Sequence, residues 1–258
     1  MGSSHSRPVK QTATQPMVLI PLYIYPLEGA WEPLFTLARA CPKVLFVAVV
    51  NPCNGPGVES LPDASYTAAI RTMNEIPNIM PVGYVHCTYG ARPLDSIIKD
   101  VDIYRGWNDN FRIDGVFIDE TPSDPNTASY LKSVADHTRS TWRETLGRSA
   151  HVVYNPGVVV DRLFFDDADS VVVFEQSEQH WKTPAIQKSM EQLPPDLRSK
   201  AVVIVHTLSG DHVARLTREI RGIGLGGLHF TDEVGGGYTK WPVMWTDVAQ
   251  ELGGEDSS

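Results

Sequence analysis

The segment GVFIDETPSD, residues 115–124, runs apolar through Ile118 and then sets two carboxylates side by side, Asp119 and Glu120. A second segment, SVVVFEQS (170–177), turns acidic in the same way at Glu175. Acids crowded at the edge of an apolar core repel when both are ionised, so one of them is expected to have a raised pKa and to keep its proton near neutral pH. A protonated acid beside an ionised one is what cleavage of a glycosidic bond requires. The leaving oxygen takes a proton while the carboxylate stabilises or attacks the oxocarbenium-like centre. Successive strand residues point to opposite faces, so both members of the pair reach one pocket only if the turn at DETP bends one of them. Pro122 favours such a turn by holding Thr121 extended. The competing reading is structural: either acid could cap the next helix or pair with an arginine on the rim.

The elements that would position these acids repeat along the chain. β-branched apolar runs occupy 18–26, 43–52, 78–87, 113–120, 150–157, 170–177, 201–210 and 226–233. Between them lie amphipathic stretches such as WEPLFTLARAC, YTAAIRTMNEI, TASYLKSVADHTRSTWRETL and HVARLTREIRGI. The runs are continuous rather than alternating, as expected of parallel strands covered on both faces. Eight strands with helical crossovers in 258 residues predict an α/β fold, a single (β/α)8 TIM barrel. An open doubly wound sheet of six strands is the alternative. The barrel is expected to span 17–252, with polar tails at 1–16 and 253–258 expected to be disordered; QLPPDL (192–197) and VGGGYTK (234–240) read as loops within it.

Polarity enters at the end of run after run: Tyr23 and Tyr25, Asn51, Tyr84 and His86, Asn155, His206 and Asp232, besides the three acids. In a TIM barrel those ends converge on one rim, where the loops after the strands build the active site. These eight are the candidate substrate-binding residues. Tyr23, Tyr25, Tyr84, Tyr89, Trp181, Tyr238 and Trp241 fall at the same ends, and aromatic faces with polar tips suit sugar rings.

The whole chain narrows the partners. Lys plus Arg number 22 against 31 Asp plus Glu, a net charge of −9 that argues against a nucleic-acid backbone as ligand. Cys41, Cys53 and Cys87 form no C-x-x-C pair and read as free thiols, so neither a disulfide framework nor a zinc site is expected. No apolar run approaches the roughly 20 residues of a membrane span, so no stable membrane insertion is expected. The first 16 residues lack the apolar core of a secretion signal, which on its own reads as cytoplasmic. MGSSHS matches a myristoylation pattern at Gly2 and Ser6, although a single acyl chain anchors weakly. GIGLGG (222–227) precedes a strand rather than following one, so it is no dinucleotide fingerprint. No metal and no cofactor are expected, and a monomer is.

In order along the chain, PLYIYP, FVAVVNPCNGPG, GYVHCTYGARPL, GVFIDETPSD, VVYNPG and VVVFEQS resemble the spherulation-specific (spherulin-four) family, glycoside hydrolase family 135, known in fungi and bacteria. The resemblance runs over about residues 18–250, and the DETPSD and VNPxxGPG segments are its specific part. It implies a (β/α)8 barrel that cuts within α-1,4-linked N-acetylgalactosamine stretches of a galactosamine–galactose polysaccharide, outside the cell or in its wall. It also places the essential acids on Asp119, Glu120 and Glu175. In that setting Glu120 would be the general acid and Glu175 the opposing carboxylate. Asp119 would hold the substrate's 2-acetamido group or tune Glu120. The acetamido oxygen could itself be the nucleophile, or one of the acids could attack directly.

Two other readings stand beside the hydrolase. A metal-dependent hydrolase could use His86, His206 and His229, although the first strand shows LYIYP where such enzymes carry His-x-His. A non-catalytic carbohydrate-binding or spore-coat protein could keep the barrel without turnover.

Overall fold

The structure is a computed structural model that describes residues 15–235 and 237–253. The expected tails and the Gly2/Ser6 pattern lie almost wholly outside the described residues. Eight strands form the barrel: β1 Met17–Leu22, β2 Leu45–Val50, β3 Ile79–His86, β4 Gly115–Asp119, β5 His151–Tyr154, β6 Ser170–Ser177, β7 Ala201–His206 and β8 Gly227–Phe230. Each pairs in parallel with the next in sequence, and β1 closes on β8. All eight strand runs read from the sequence are strands. Several end sooner than the apolar pattern does, and Pro52 and Pro156 stand two residues beyond the ends of β2 and β5.

Ten α-helices are present among the described residues. They are α1 Glu32–Ala40, α2 Ala64–Asn74, α3 Leu94–Trp107, α4 Ala128–Leu146, α5 Arg162–Asp167, α6 Glu178–Trp181, α7 Pro184–Gln192, α8 Pro195–Arg198, α9 Val213–Ile223 and α10 Trp245–Gly253. They bury their apolar stripes on the outer face of the sheet, where Trp107, Trp142 and Tyr104 are fully enclosed. Gly83 on β3 is required by this packing, because a Cβ there would lie 2.5 Å from the Tyr104 ring of α3.

The barrel interior is a separate apolar stack of Met17, Leu19, Val47, Val49, Val82, Tyr84, Phe117, Val153, Val172, Val202 and Ile204, with Tyr238 closing its top. Counting by two along a strand from these residues shows which side chains emerge inward at the rim. Phe117 leads to Asp119, Val153 to Asn155 and Ile204 to His206. On β6 the count fails: Val172 faces inward, yet alternation from it would point Glu175 outward. A register shift between Val172 and Phe174 inserts one extra residue, so that Val172 pairs with Val202 and Glu175 with Ile204. This β-bulge turns Glu175 to the inside of the barrel.

Candidate active site

At the C-terminal end of the barrel lies a cavity of about 580 Å³ lined by Asp119, Glu120, Asn155, Glu175, His206 and Tyr238, together with Tyr89, Pro156, Gly157, Val158, Gln176 and Gly235. Its size is that of a small-molecule site, roughly 300–1,000 Å³. The three acids therefore share one hollow.

Two of the acids form its floor. The Asn155 Nδ2 group donates one hydrogen to Asp119 Oδ1 at 2.7 Å and the other to Glu175 Oε2 at 2.6 Å. Tyr84 donates its hydroxyl to Asp119 Oδ2 at 2.8 Å, and Tyr238 donates to Glu175 Oε1 at 2.6 Å. Every oxygen of the two carboxylates thus accepts a bond from a fixed donor. One nitrogen bridging both groups holds those two oxygens within roughly 5 Å of each other, at the close end of the spacings found between carboxylate pairs in glycosidases. Burial pushes the Glu175 carboxyl above its ordinary range, with the Asp119 charge adding to the rise, while the Tyr238 and Asn155 bonds pull it down. Burial is the larger cause of that rise and the neighbouring charge the smaller. Burial also drives the Tyr84 and Tyr238 hydroxyls far above their usual pKa, so both stay protonated as donors.

Glu120 is placed differently. Its φ is +52°, a left-handed conformation rare for a side-chain-bearing residue. That turn is the bend the adjacent acids need if both are to face the same hollow. The carbonyl of Glu120 accepts from Tyr89 N at 2.7 Å and from Cys87 Sγ at 3.1 Å. Among the described residues no side chain donates to its carboxyl, which leaves it to meet a ligand.

The remaining candidates divide. Asn155 and His206 line the cavity; burial lowers the His206 pKa, and Thr207 Oγ1 lies 2.9 Å from its Nδ1. Tyr84 and Tyr23 lie beneath it, their rings meeting edge to face at 5.7 Å, and Tyr23 packs the same way on Tyr238. His86 stacks on Tyr84 but turns its Nδ1 to Asn54, beside the hollow rather than in it. Tyr25, Asn51 and Asp232 do not line the cavity. Tyr25 bonds Asp63 and packs on Tyr66, Asn51 accepts from Gly55 N, and Asp232 accepts from Val243 N and Lys240. Asn51 and Asp232 stabilise their own loops, and Tyr25 ties the loop after β1 to the start of α2. Two of the aromatics also leave the groove: Trp181 is buried with its Nε1 on Glu219, and Trp241 donates to Ala30 O. His229, inside the barrel against Tyr238, is kept neutral by burial, which lowers its pKa to about 3. No group of three or more His, Cys, Asp or Glu among the described residues is arranged to hold a metal ion.

Residues 17–252 match the spherulation-specific family 4. The chain is 30% identical to Spherulin-4 of Physarum polycephalum over 177 residues, 67% of this chain, and spans about half the length of that relative, 49%. The crystal structure of Aspergillus clavatus Sph3 in complex with GalNAc superposes with a TM-score of 0.86 and 29% identity, over 93% of this chain and 98% of that one. Human YKL-39, described as a pseudo-chitinase with retained chitooligosaccharide binding, shares the fold alone, at a TM-score of 0.60 and 9% identity over 94% of this chain and all of that one. With a match that runs from the first strand of the barrel to its last helix, the chain belongs to the spherulation-specific (spherulin-four) family.

Proposed function

We propose that the protein is a glycoside hydrolase that cuts within α-1,4-linked N-acetylgalactosamine stretches of a polysaccharide, with Glu120 as general acid. The observation that carries this reading is the pairing of a locked floor of two carboxyls with an unpartnered acid above it. Asp119 and Glu175, bridged by Asn155, hold two carboxyl groups in fixed positions beneath a sugar ring whose anomeric centre becomes positive. Glu120 shares their cavity and has no side-chain partner among the described residues, so its carboxyl is the one free to meet the leaving oxygen. Glu175 is the carboxylate that faces the anomeric carbon, and Asp119 supplies the second charge. The GalNAc complex of Sph3 supports the sugar class.

The α linkage bears on the nucleophile. In an α-linked N-acetylgalactosamine the acetamido group and the leaving oxygen lie on the same face of the ring. The acetamido oxygen therefore cannot attack from behind, and the floor carboxylates rather than the substrate must answer the developing charge.

The test is hydrolysis of defined α-1,4-N-acetylgalactosamine oligomers, read by mass spectrometry beside chitin and α-glucan oligomers. Wild type is expected to release shorter galactosaminides and to leave the other two intact. Glu120→Gln is expected to lose turnover by a factor of roughly 10²–10⁴ while still binding the oligomer. Binding without product from wild type would replace the hydrolase with a lectin-like role, and near-normal turnover in Glu120→Gln would remove Glu120 as the acid.

A further inference from the structure

The loop after β3 contains a feature that the chemistry above does not use. Thr88, Tyr89 and Gly90 follow one another in the left-handed region, with φ of +48°, +52° and +87°. For glycine this is easy, but for Tyr89, and above all for β-branched Thr88, it is a strained conformation that persists only where the surroundings enforce it. Here they do. Gly90 N donates to Cys87 O at 2.9 Å, Ala91 N to Thr88 O at 2.9 Å, and Tyr89 N to Glu120 O at 2.7 Å. Below the turn, Arg92 is tied to His86 O and to Asp100, and its carbonyl accepts from Tyr130. The product of all this anchoring is an aromatic ring that is 70% exposed on the cavity wall, with no aromatic or hydroxyl partner among the described residues. A rigid turn that holds a large ring out in water gains nothing from burial. It gains only when something covers the ring.

We propose that Tyr89 is the platform of a second sugar subsite, on the leaving-group side of the bond that is cut, and that it selects galacto-configured sugars there. The assignment rests on Glu120 being the proton donor. An acid that protonates the bridging oxygen stands between two sugar units, one over the floor carboxylates and one beyond. The backbone of Tyr89 is bonded to Glu120 itself, so its ring serves the unit beyond. A galacto-configured pyranose carries its 4-hydroxyl axially. C3–H, C4–H and C5–H then lie on one uninterrupted apolar face, which suits an aromatic ring. A gluco-configured sugar has an equatorial 4-hydroxyl and lacks that continuous patch on the same face. The left-handed lock fixes the ring in advance, so little ordering is left for binding to overcome.

The test measures binding to the Glu120→Gln protein, with a short α-1,4-N-acetylgalactosamine oligomer and the monosaccharide as probes. Tyr89→Asn removes the ring and keeps a residue type that tolerates positive φ, whereas Tyr89→Phe keeps the ring. In the Glu120→Gln background, Tyr89→Asn is expected to weaken oligomer binding about tenfold. Monosaccharide affinity should stay constant, and Tyr89→Phe should match the parent. With Glu120 restored, Tyr89→Asn should raise KM for the oligomer more than it lowers kcat. Unchanged oligomer affinity in Tyr89→Asn, an equal loss with the monosaccharide, or no oligomer binding by the parent protein would each overturn the subsite. If wild type binds and never cleaves, yet Tyr89→Asn still weakens the oligomer alone, the platform stands and the hydrolase reading falls.

Discussion

The two ends of this barrel are built to opposite rules. At the N-terminal end the charges are paired and the close turns use glycine. Asp114 is bound by Arg148 at 2.8 Å and by Arg112 at 3.1 Å; Arg148 also reaches Asn108 Oδ1 and Ile113 O. Asn78 donates to three carbonyls, and Lys200 to two. The left-handed residues that end α4 and α9 are Gly147 and Gly224. At the C-terminal end the described left-handed positions include six non-glycine residues, Asn54, Thr88, Tyr89, Glu120, Thr207 and Tyr238, and each sits in a loop after a strand. Two acids there are half-buried and bridged by one amide, and a third is left without a side-chain partner among the described residues. Strain and crowded charge are therefore confined to the end where βα loops build active sites, while the other end holds the fold together.

That contrast is open to direct attack. The largest expected effect is at the rim: Asp119→Asn removes one charge of the floor and should lower kcat/KM by roughly 10²–10³. Its thermal midpoint should hold, because the amide can keep one of the two donors and relieves a repulsion. The mirror experiment at the base is Arg148→Ala. Asp114, 14% exposed, then keeps only Arg112, and burial already raises its pKa. Urea unfolding should show a loss of about 2 kcal/mol, less than for a fully buried pair because Arg148 is a third exposed. The kcat of the folded protein should not change. If Arg148→Ala lowered kcat in proportion to Asp119→Asn, the division of labour between the ends would be wrong.

Glu175→Gln carries the comparison into pH. The folded-state pKa of Glu175 is raised above its unfolded value by burial and by Asp119. Below the unfolded value both states are protonated and nothing is lost. As pH rises through the window up to the folded value, the native state binds more protons than the unfolded one, so unfolding free energy falls. Above that window the loss is complete. Glutamine carries no such cost. The variant should therefore gain stability over wild type as pH rises through the window, keep the gain at neutral pH, and lack activity. Parallel stability–pH curves for the two proteins would mean that Glu175 is not held at a cost.

Much of the architecture was legible because it rests on patterns that repeat. Eight continuous apolar runs gave eight strands, and the long amphipathic stretches between them gave α1, α2, α4 and α9. The acids at 119, 120 and 175 were legible as types at strand ends. Their aim was not. Alternation from Val172 points Glu175 away from the barrel, and only the bulge before Phe174 reverses it, in a run of valines that carries no local sign of a bulge. Glu120 reaches the hollow through a backbone angle that its sequence does not advertise. Tyr25, Asn51 and Asp232 share the strand-end position of true lining residues but turn to partners in their own or a neighbouring loop, and alternation says nothing once a strand has ended. Tyr238, 63 residues from Glu175, bonds it only because the loop after β8 folds back over the barrel mouth.

The smallest expected effects discriminate most finely between the two halves of the floor. Tyr84→Phe removes one donor from Asp119 and Tyr238→Phe removes one from Glu175, while Asn155 continues to serve both. A hydrogen bond to a charged group is worth about 1.5–3 kcal/mol, so each loss should cost roughly ten- to a hundredfold in kcat/KM. The two will not be equal if one carboxylate faces the anomeric carbon. Tyr238→Phe should lower kcat more than Tyr84→Phe, because the charge it holds in place answers the transition state, whereas Asp119 acts at one remove. It should also raise the Glu175 pKa further, since the Tyr238 bond now pulls it down, and so move the lower limb of the kcat–pH profile toward higher pH. The reverse ranking, with Tyr84→Phe the more damaging, would exchange the roles of Asp119 and Glu175.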